Sequence, residues 1–444
     1  MLDFNDIHKY RENNRIEAKK AQGGLPQSLW ETYSAFANSF GGVILLGVIE
    51  NPDKSLSTVP LRDPEGLVED FWYKLRDGRS VSADILTAGD VSIVESGGNR
   101  IVVIEIPRAD RKARPVYLGD DPYSGSYRRN GEGDYRCTRE EVDTMLNDRS
   151  DNSWDRSPIL SATLDALDLS SVERYRPFLE MAGEFKLFQL SDKTLLQKIG
   201  AAEDGHPTAA GLLMFGKYDG IICEFPKYSL QYSEPGFVLR SGVGAWSGNL
   251  FDFFIRVLDR LQARASGKSL VSQALREALA NAVVHASYYR GGGLVIENRN
   301  DRIVILNSGS LRVNLNRALR NGIADPRNLT LVYMFTLAGI GKHSGSGLSR
   351  IQSIWRGQGL GSPEITELLS PDRTSVTLPL PRISSHEQYI LEYLTEHPDA
   401  SSAEIAETLC RSLSRTREIL KGLVQRELIS TIGKGKNRRY RLKA

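Results

Sequence analysis

The chain has 444 residues, 25% charged and 40% apolar, with a formal net charge of only +2. That length suits about three soluble globular domains, and so small a net charge excludes a protein that coats nucleic acid with its whole surface. Three far-spaced cysteines exclude a disulfide scaffold or a metal knuckle, the longest apolar run, Val43 to Ile49, is too short to cross a bilayer, and a terminus charged from Asp3 is no secretory signal, so a cytoplasmic protein without a membrane partner is expected.

Residues 1–150 mix helix and strand. A carboxylate-rich opening, Glu12 to Lys20, contains Glu12, Glu17, Lys19 and Lys20. A helix ending at Asn38 or Ser39 then turns through Gly41-Gly42 into a buried strand. Pro115-Val-Tyr117 reads as a strand, and Ser126 to Gly133 as a basic turn holding Arg128 and Arg129. The stretch from Asp148 to Pro158 is polar and turn-rich, the composition of a linker. Residues 151–225 read as a helical linker region of short helices, broken at Gly205-His-Pro207.

Residues 226–383 carry the most chemistry. Asn249 to Ala265 is amphipathic at helical spacing. In the next helix Val271, Leu275, Ala278, Leu279 and Ala282 recur on one face, while Glu277, Asn281 and His285 stack at i, i+4 and i+8 on another. A carboxylate and a carboxamide one turn apart, Glu277 and Asn281, suit a hydrated Mg²⁺ and an oriented water beside a nucleotide phosphate. The segments 293–298 and 301–307 read as a hairpin through Arg299-Asn300. It ends at Asn307-Ser-Gly309, where glycine permits close approach to a flat ligand. The Gly-rich loop of Gly339 to Gly347, with Gly345, Ser346 and Gly347 at its end, opens a helix from Leu348 to about Trp355. Its free N–H groups and dipole suit a phosphate.

The last sixty residues read as three helices and a hairpin, which make a winged helix-turn-helix. Ser401-Ser-Ala-Glu404 has the form of a capping box. From Arg411 to the end there are eleven Lys/Arg against Glu418 and Glu427, a local charge of +9, so the other 410 residues carry −7. Positive charge gathered on one terminal module is the footprint of a duplex-DNA binder. Ser414, Arg415, Arg417 and Lys421 are the candidate groove-facing residues, and Lys434, Lys436, Arg438 and Arg439 the wing. Lys19, Arg128 and Arg129 are further candidate phosphate contacts.

The order of helix, hairpin, Asn307-Ser-Gly309 and Gly345-Ser-Gly347 resembles the GHKL ATP-binding fold. Residues 205–365, with Pro207 to Gly216 and Arg276 to His285, resemble bacterial ATP-binding proteins described as predicted transcriptional regulators. The resemblance implies ATP and Mg²⁺, with Glu277 as base and Asn281 as magnesium ligand. It departs at Asn307, where the fold usually has an Asp that accepts from the adenine amino group; Asn307 offers its amide oxygen without charge.

Residues 10–145 resemble the Schlafen AlbA-like, or divergent AAA, domain. That resemblance implies nucleic-acid contact, and in the nuclease branch a carboxylate triad, matched here by Glu12, Glu17 and Glu50. The expected architecture is thus α+β and multidomain. It comprises an AlbA/Schlafen-like α/β domain over 1–150, the helical linker region over 151–225, a GHKL-like α/β sandwich over 226–383 and a winged helix-turn-helix over 384–444. The expected function is a DNA-binding transcriptional regulator that binds adenine nucleotide, acting as a homodimer or higher homo-oligomer because paired half-sites multiply specificity. The alternative is a metal-dependent nuclease acting on RNA or DNA in antiviral defence. Enzymatic activity stays open between weak ATP hydrolysis and metal-dependent cleavage.

Overall fold

A computed structural model describes residues 3–150, 153–263, 269–288, 293–321, 323–341, 347–369, 372–380, 385–425, 428–433, 435 and 438–443. The chain is mixed α+β, with several separate sheets, and divides into two compact units, Met1–Asn152 and Ser153–Ala444.

In the first unit a four-stranded sheet runs in the order Ile16–Lys19, Gly42–Leu46, Asn99–Ile106, Val91–Ser96. The first pair is parallel and the others antiparallel. The Asn99–Ile106 strand shows why both faces are covered. Val102, Ile104 and Ile106 alternate with Ile101 and Val103. The first set packs with Phe36 of helix Ser28–Asn38 and Phe71 of helix Pro64–Arg76, and the second with Ile7 and Val48. Gly41, at φ +76°, makes the expected helix-to-strand turn, and a Cβ there would lie 2.7 Å from the Ile106 carbonyl oxygen. Asn38 closes the fold behind it. Its amide nitrogen donates to the carbonyls of Val116 (2.7 Å) and Tyr127 (3.1 Å), and its oxygen accepts from Val116 N–H (2.8 Å).

The second unit is built on a six-stranded sheet ordered Phe237–Arg240, Ser229–Glu234, Gly293–Asn298, Arg302–Ser308, Asp372–Pro379, Glu364–Leu369. Ser229–Glu234 and Gly293–Asn298 are parallel, and the remaining neighbours antiparallel. Helices Leu250–Ala263, Ser269–His285 and Gly347–Gly357 share its core through Phe254, Leu279 and Trp355. The hairpin expected through Arg299-Asn300 is present, closed by Arg299 N–H donating to Arg302 O at 2.8 Å.

Residues 151–225 do not behave as a linker. Val172, Tyr175, Leu195, Leu213 and Phe215 are fully buried in the same core as Phe251 and Leu279, because the short helices each bring an apolar face that only this core can cover. Even the polar stretch before them has a structural task. Asp155, fully buried, accepts from the N–H groups of Thr330 (3.2 Å) and Leu331 (3.0 Å) at the start of helix Leu329–Leu337. Trp154 donates to Asn328 (2.9 Å), whose amide in turn donates to the carbonyls of Val284 and Ala286 behind helix Ser269–His285. Burial pushes the Asp155 carboxyl above the usual carboxylate range, against the pull of the Ser153 hydroxyl and the two amides. Asp155→Ala strands two buried helix N–H donors and is expected to destabilise the unit by about 2–4 kcal/mol. A drop of several degrees in the thermal midpoint, largely restored by Asp155→Asn, is the measurement that checks it.

The C-terminal stretch has its own core. Helices Ser385–Glu396, Ser402–Thr408 and Leu413–Gln425 meet a three-stranded antiparallel sheet ordered Ala400–Ser401, Arg439–Leu442, Ile429–Ile432. Ile390, Leu394, Ile405, Leu420, Leu423 and Tyr440 fill the space between them. The capping box is formed, with Ser401 N–H donating to Glu404 (2.6 Å) and Glu404 N–H to Ser401 Oγ (3.2 Å).

Candidate functional site

Helix Ser269–His285 turns its apolar face to the core, and the other side of the same helix lines a cavity of about 140 Å³ within the second unit. Glu277 and Asn281 stand one turn apart on that wall. Gly347, the first described residue of its helix, closes against both: a Cβ there would lie 2.8 Å from Asn281 Nδ2 and 2.9 Å from Glu277 Oε1. The glycine therefore keeps open a cradle beside a carboxylate and a carboxamide, under a helix N-terminus. Glu277 is only 9% exposed, and Arg350, one turn into the Gly347–Gly357 helix, holds its guanidinium 3.7 Å from the carboxylate. Glu277, Asn281 and Gly347 are thus brought together. Gly345 and Ser346 lie outside the described residues.

Asn307 lines the same cavity, 6% exposed, on strand Arg302–Ser308. Gly309 follows at φ +93°. Its N–H donates to Asp372 O (2.9 Å) and its carbonyl accepts from Thr374 Oγ1 (2.8 Å). Two residues at this site escape sequence reasoning. Thr374 is the cross-strand partner of Asn307 and also lines the cavity; only strand register, which no local spacing reveals, pairs them. Arg327, 7% exposed, donates to His285 O (3.0 Å) at the end of the cavity helix and to Ser310 O (2.6 Å) beyond the glycine. It clips the Asn307-Ser-Gly309 turn to that helix. A Cβ on Gly309 would meet the Arg327 guanidinium carbon at 2.9 Å, which is why the position is glycine.

The N-terminal candidates are placed differently from their sequence reading. Arg129, with a 1% exposed side chain, donates to Glu17 (2.8 Å), Asp134 (2.9 Å) and the Asn13 carbonyl, and lies over the Phe36 ring. Arg128, 7% exposed at its side chain, reaches Glu141 at 3.4 Å. Lys19 is 10% exposed, with Nζ on Glu17 (3.0 Å) and Ser28 (3.1 Å). These three cations are internal ties and not surface phosphate contacts: Glu17 takes both Lys19, two residues on, and Arg129, 112 residues on, and Glu141 takes Arg128. Arg129→Ala would leave the half-buried Asp134 without its cation and Glu17 with Lys19 alone. A loss of about 3–5 kcal/mol of stability is expected, checked by urea unfolding.

Of the three carboxylates, Glu12 accepts from Ala18 N–H (2.9 Å) and Glu50 pairs with Lys54 (3.0 Å). Burial pushes Glu12 above its usual range, Ala18 N–H opposes, and Glu17 and Glu50 add to the rise. Among the described residues no group of three or more His, Cys, Asp or Glu side chains is placed to hold a metal ion.

In the C-terminal module, Ser414, Arg415, Arg417 and Lys421 are exposed on helix Leu413–Gln425, whose other face buries Thr416, Leu420 and Leu423. Arg438 is exposed. Arg439 is not a free wing cation: it pairs with Asp399 and with Glu404 (3.2 Å), since its strand edge faces the capping box. Lys434 and Lys436 lie outside the described residues.

Comparison with known families matches residues 12–138 to "Schlafen, AlbA_2". The chain carries a Schlafen AlbA_2 domain. Residues 291–378, which include Asn307, Gly347 and Thr374, match "Putative ATP-dependent DNA helicase recG C-terminal", so a recG-like, ATPase-type domain is also present. Residues 143–231 match a "Domain of unknown function (DUF8451)". Among solved structures, the DIP2311 protein of Corynebacterium diphtheriae is 16% identical, with 97% of this chain and 95% of that one covered and a TM-score of 0.42. The N-terminal domain of a putative ATP-dependent DNA helicase RecG-related protein from Nitrosomonas europaea is 28% identical over 31% of this chain and 95% of that one, with a TM-score of 0.24. No curated protein matches the chain. The two domains together point to a DNA-binding, ATP-dependent protein. Among the described residues, no helix is long and apolar enough to cross a membrane.

Proposed function

We propose that this protein is a cytoplasmic, homodimeric transcriptional regulator in which a GHKL-like domain over 226–383 binds ATP with Mg²⁺ and a winged helix over 384–444 binds duplex DNA. The observation that carries the nucleotide half is the cradle at Gly347, where glycine holds space open against Glu277 and Asn281 in a cavity that Asn307 also lines. The donor set fits magnesium. A carboxylate and a carboxamide oxygen are hard ligands, and a cation keeping several waters needs only one or two of them plus phosphate oxygens. In this reading Asn281 holds the ion, Glu277 orients a water, and the Gly347 helix end takes the phosphates.

The DNA half is supported by three helices, an antiparallel sheet and an outward cationic face on one self-contained core. Nucleotide and DNA would then be reciprocally coupled, each altering affinity for the other. Calorimetry of the full chain with ATP and Mg²⁺ tests the first half; absence of heat at millimolar nucleotide would retire it. Duplex affinity measured against salt tests the second, and a flat response would retire that.

A second reading, metal-dependent cleavage at Glu12, Glu17 and Glu50, needs those carboxylates to converge on an ion, which the described residues do not do; what supports it is Glu50 Oε1, buried and accepting no hydrogen bond among them. Incubation of the protein with tRNA and with single- and double-stranded DNA in Mn²⁺ decides it, since cleavage abolished by Glu50→Ala would displace the regulator reading.

A further inference from the structure

The nucleotide cavity has two chemically different ends. Glu277, Asn281 and the helix start at Gly347 make one of them. The other is a patch of sheet. Ile305 pairs with Val376, Val376 pairs with Ile365, and two residues along the same face Asn307 pairs with Thr374. Side chains at i and i+2 share a face, so an apolar floor wide enough for a flat ring is edged by one polar pair, 6% and 4% exposed. A ring whose phosphates lie at the Gly347 end would set its polar edge against that pair.

The donors and acceptors there are unequal. The Thr374 hydroxyl donates its hydrogen to Gly309 O at 2.8 Å, so it is committed to the backbone and offers a base no donor. The Asn307 carboxamide has no hydrogen-bond partner among the described residues. It carries an acceptor and a donor side by side, and half a turn about its terminal bond exchanges them. A 6-aminopurine presents a donor at N6 and an acceptor at N1. A 6-oxopurine presents an acceptor at O6 and a donor at N1. A carboxylate would complement only the amino group and would repel the oxo group, and an amide held by a neighbour would be fixed in one sense. An untethered amide complements both.

Resting on the nucleotide reading above, we propose that this site takes 6-oxopurine as well as 6-aminopurine nucleotides, with Asn307 as the residue that sets the choice. Titration of the full-length protein with ATP, ITP and GTP in Mg²⁺ is the test. Dissociation constants for ATP and ITP within about tenfold of one another are expected. In Asn307→Asp, ITP and GTP should weaken at least a hundredfold relative to ATP, because a site with a mismatched buried polar group discriminates strongly. Asn307→Ser, which keeps both a donor and an acceptor, should hold the ATP:ITP ratio near its wild-type value. Wild-type protein that binds ATP but rejects ITP and GTP by a hundredfold overturns the proposal and leaves the nucleotide reading intact. Binding of no nucleotide at all overturns that reading, and this proposal with it. The wild-type ratio requires no variant to fold, so the inference stays testable whatever Asn307→Asp does to stability.

Discussion

Gly347→Val is expected to weaken Mg²⁺-nucleotide binding at least a hundredfold while leaving the thermal midpoint within a few degrees. The new Cβ would stand 2.8 Å from Asn281 Nδ2 and 2.9 Å from Glu277 Oε1, closer than real Cβ contacts tolerate. The branched methyls would then occupy the space that the proposed phosphate and its hydrated cation need. Stability should hold because Gly347 is helical and valine is a better helix former than glycine by roughly a few tenths of a kcal/mol. Asn281→Ala separates the two parts of the effect. It leaves the cradle open and removes only the proposed metal ligand, so its affinity for ATP should become insensitive to Mg²⁺, where wild type is expected to gain at least tenfold on adding the ion. Calorimetry with and without Mg²⁺ on both variants reads this. Unaltered, Mg²⁺-dependent binding in Gly347→Val would place the phosphates elsewhere.

What could be read from the chain and what could not follows from the range of each interaction. Helix Ser269–His285, the hairpin that follows and the capping box at Ser401 are set by periods of 3.6 and 2 and by contacts three residues apart. Those signals are local and legible. Thr374 lies 67 positions from Asn307 and meets it only through register, and Arg327 meets His285 and Ser310 only through the turn it clips. Neither has a local signature. The same reasoning explains the misplaced cations. Arg128 and Arg129 sit in a stretch that is basic in sequence, yet Glu17, brought 112 positions along the chain, neutralises Arg129 inside the domain. A run of charge signals a solvated face only when no distant carboxylate returns to it. Likewise the short helices of 151–225 look like a connector one at a time, and become core only because Tyr175, Phe215 and Phe251 pack edge to face at 5.2–6.0 Å.

Replacing Arg415, Arg417 and Lys421 together by alanine is expected to reduce duplex affinity by about two to three orders of magnitude at low salt and to flatten its salt dependence by about 2.7 in log–log slope, near 0.9 for each phosphate contact removed. The substituted side chains project from the face opposite Leu420 and Leu423. The Arg415–Glu418 pair is open to water at 65% and 67% exposure, where an ion pair contributes little to folding, so the melting curve should not move. Arg439 supplies the contrast. Tied to Asp399 and Glu404 beside the capping box, it should on replacement by alanine lower stability more than DNA affinity. A duplex titration series from 50 to 300 mM salt on both variants distinguishes a reading face from a merely basic one. If the triple variant keeps the wild-type slope, the phosphates are met elsewhere on the chain. The positive charge gathered after Arg411 would then be a solvated surface, and the DNA-binding role would pass to the Schlafen AlbA_2 domain.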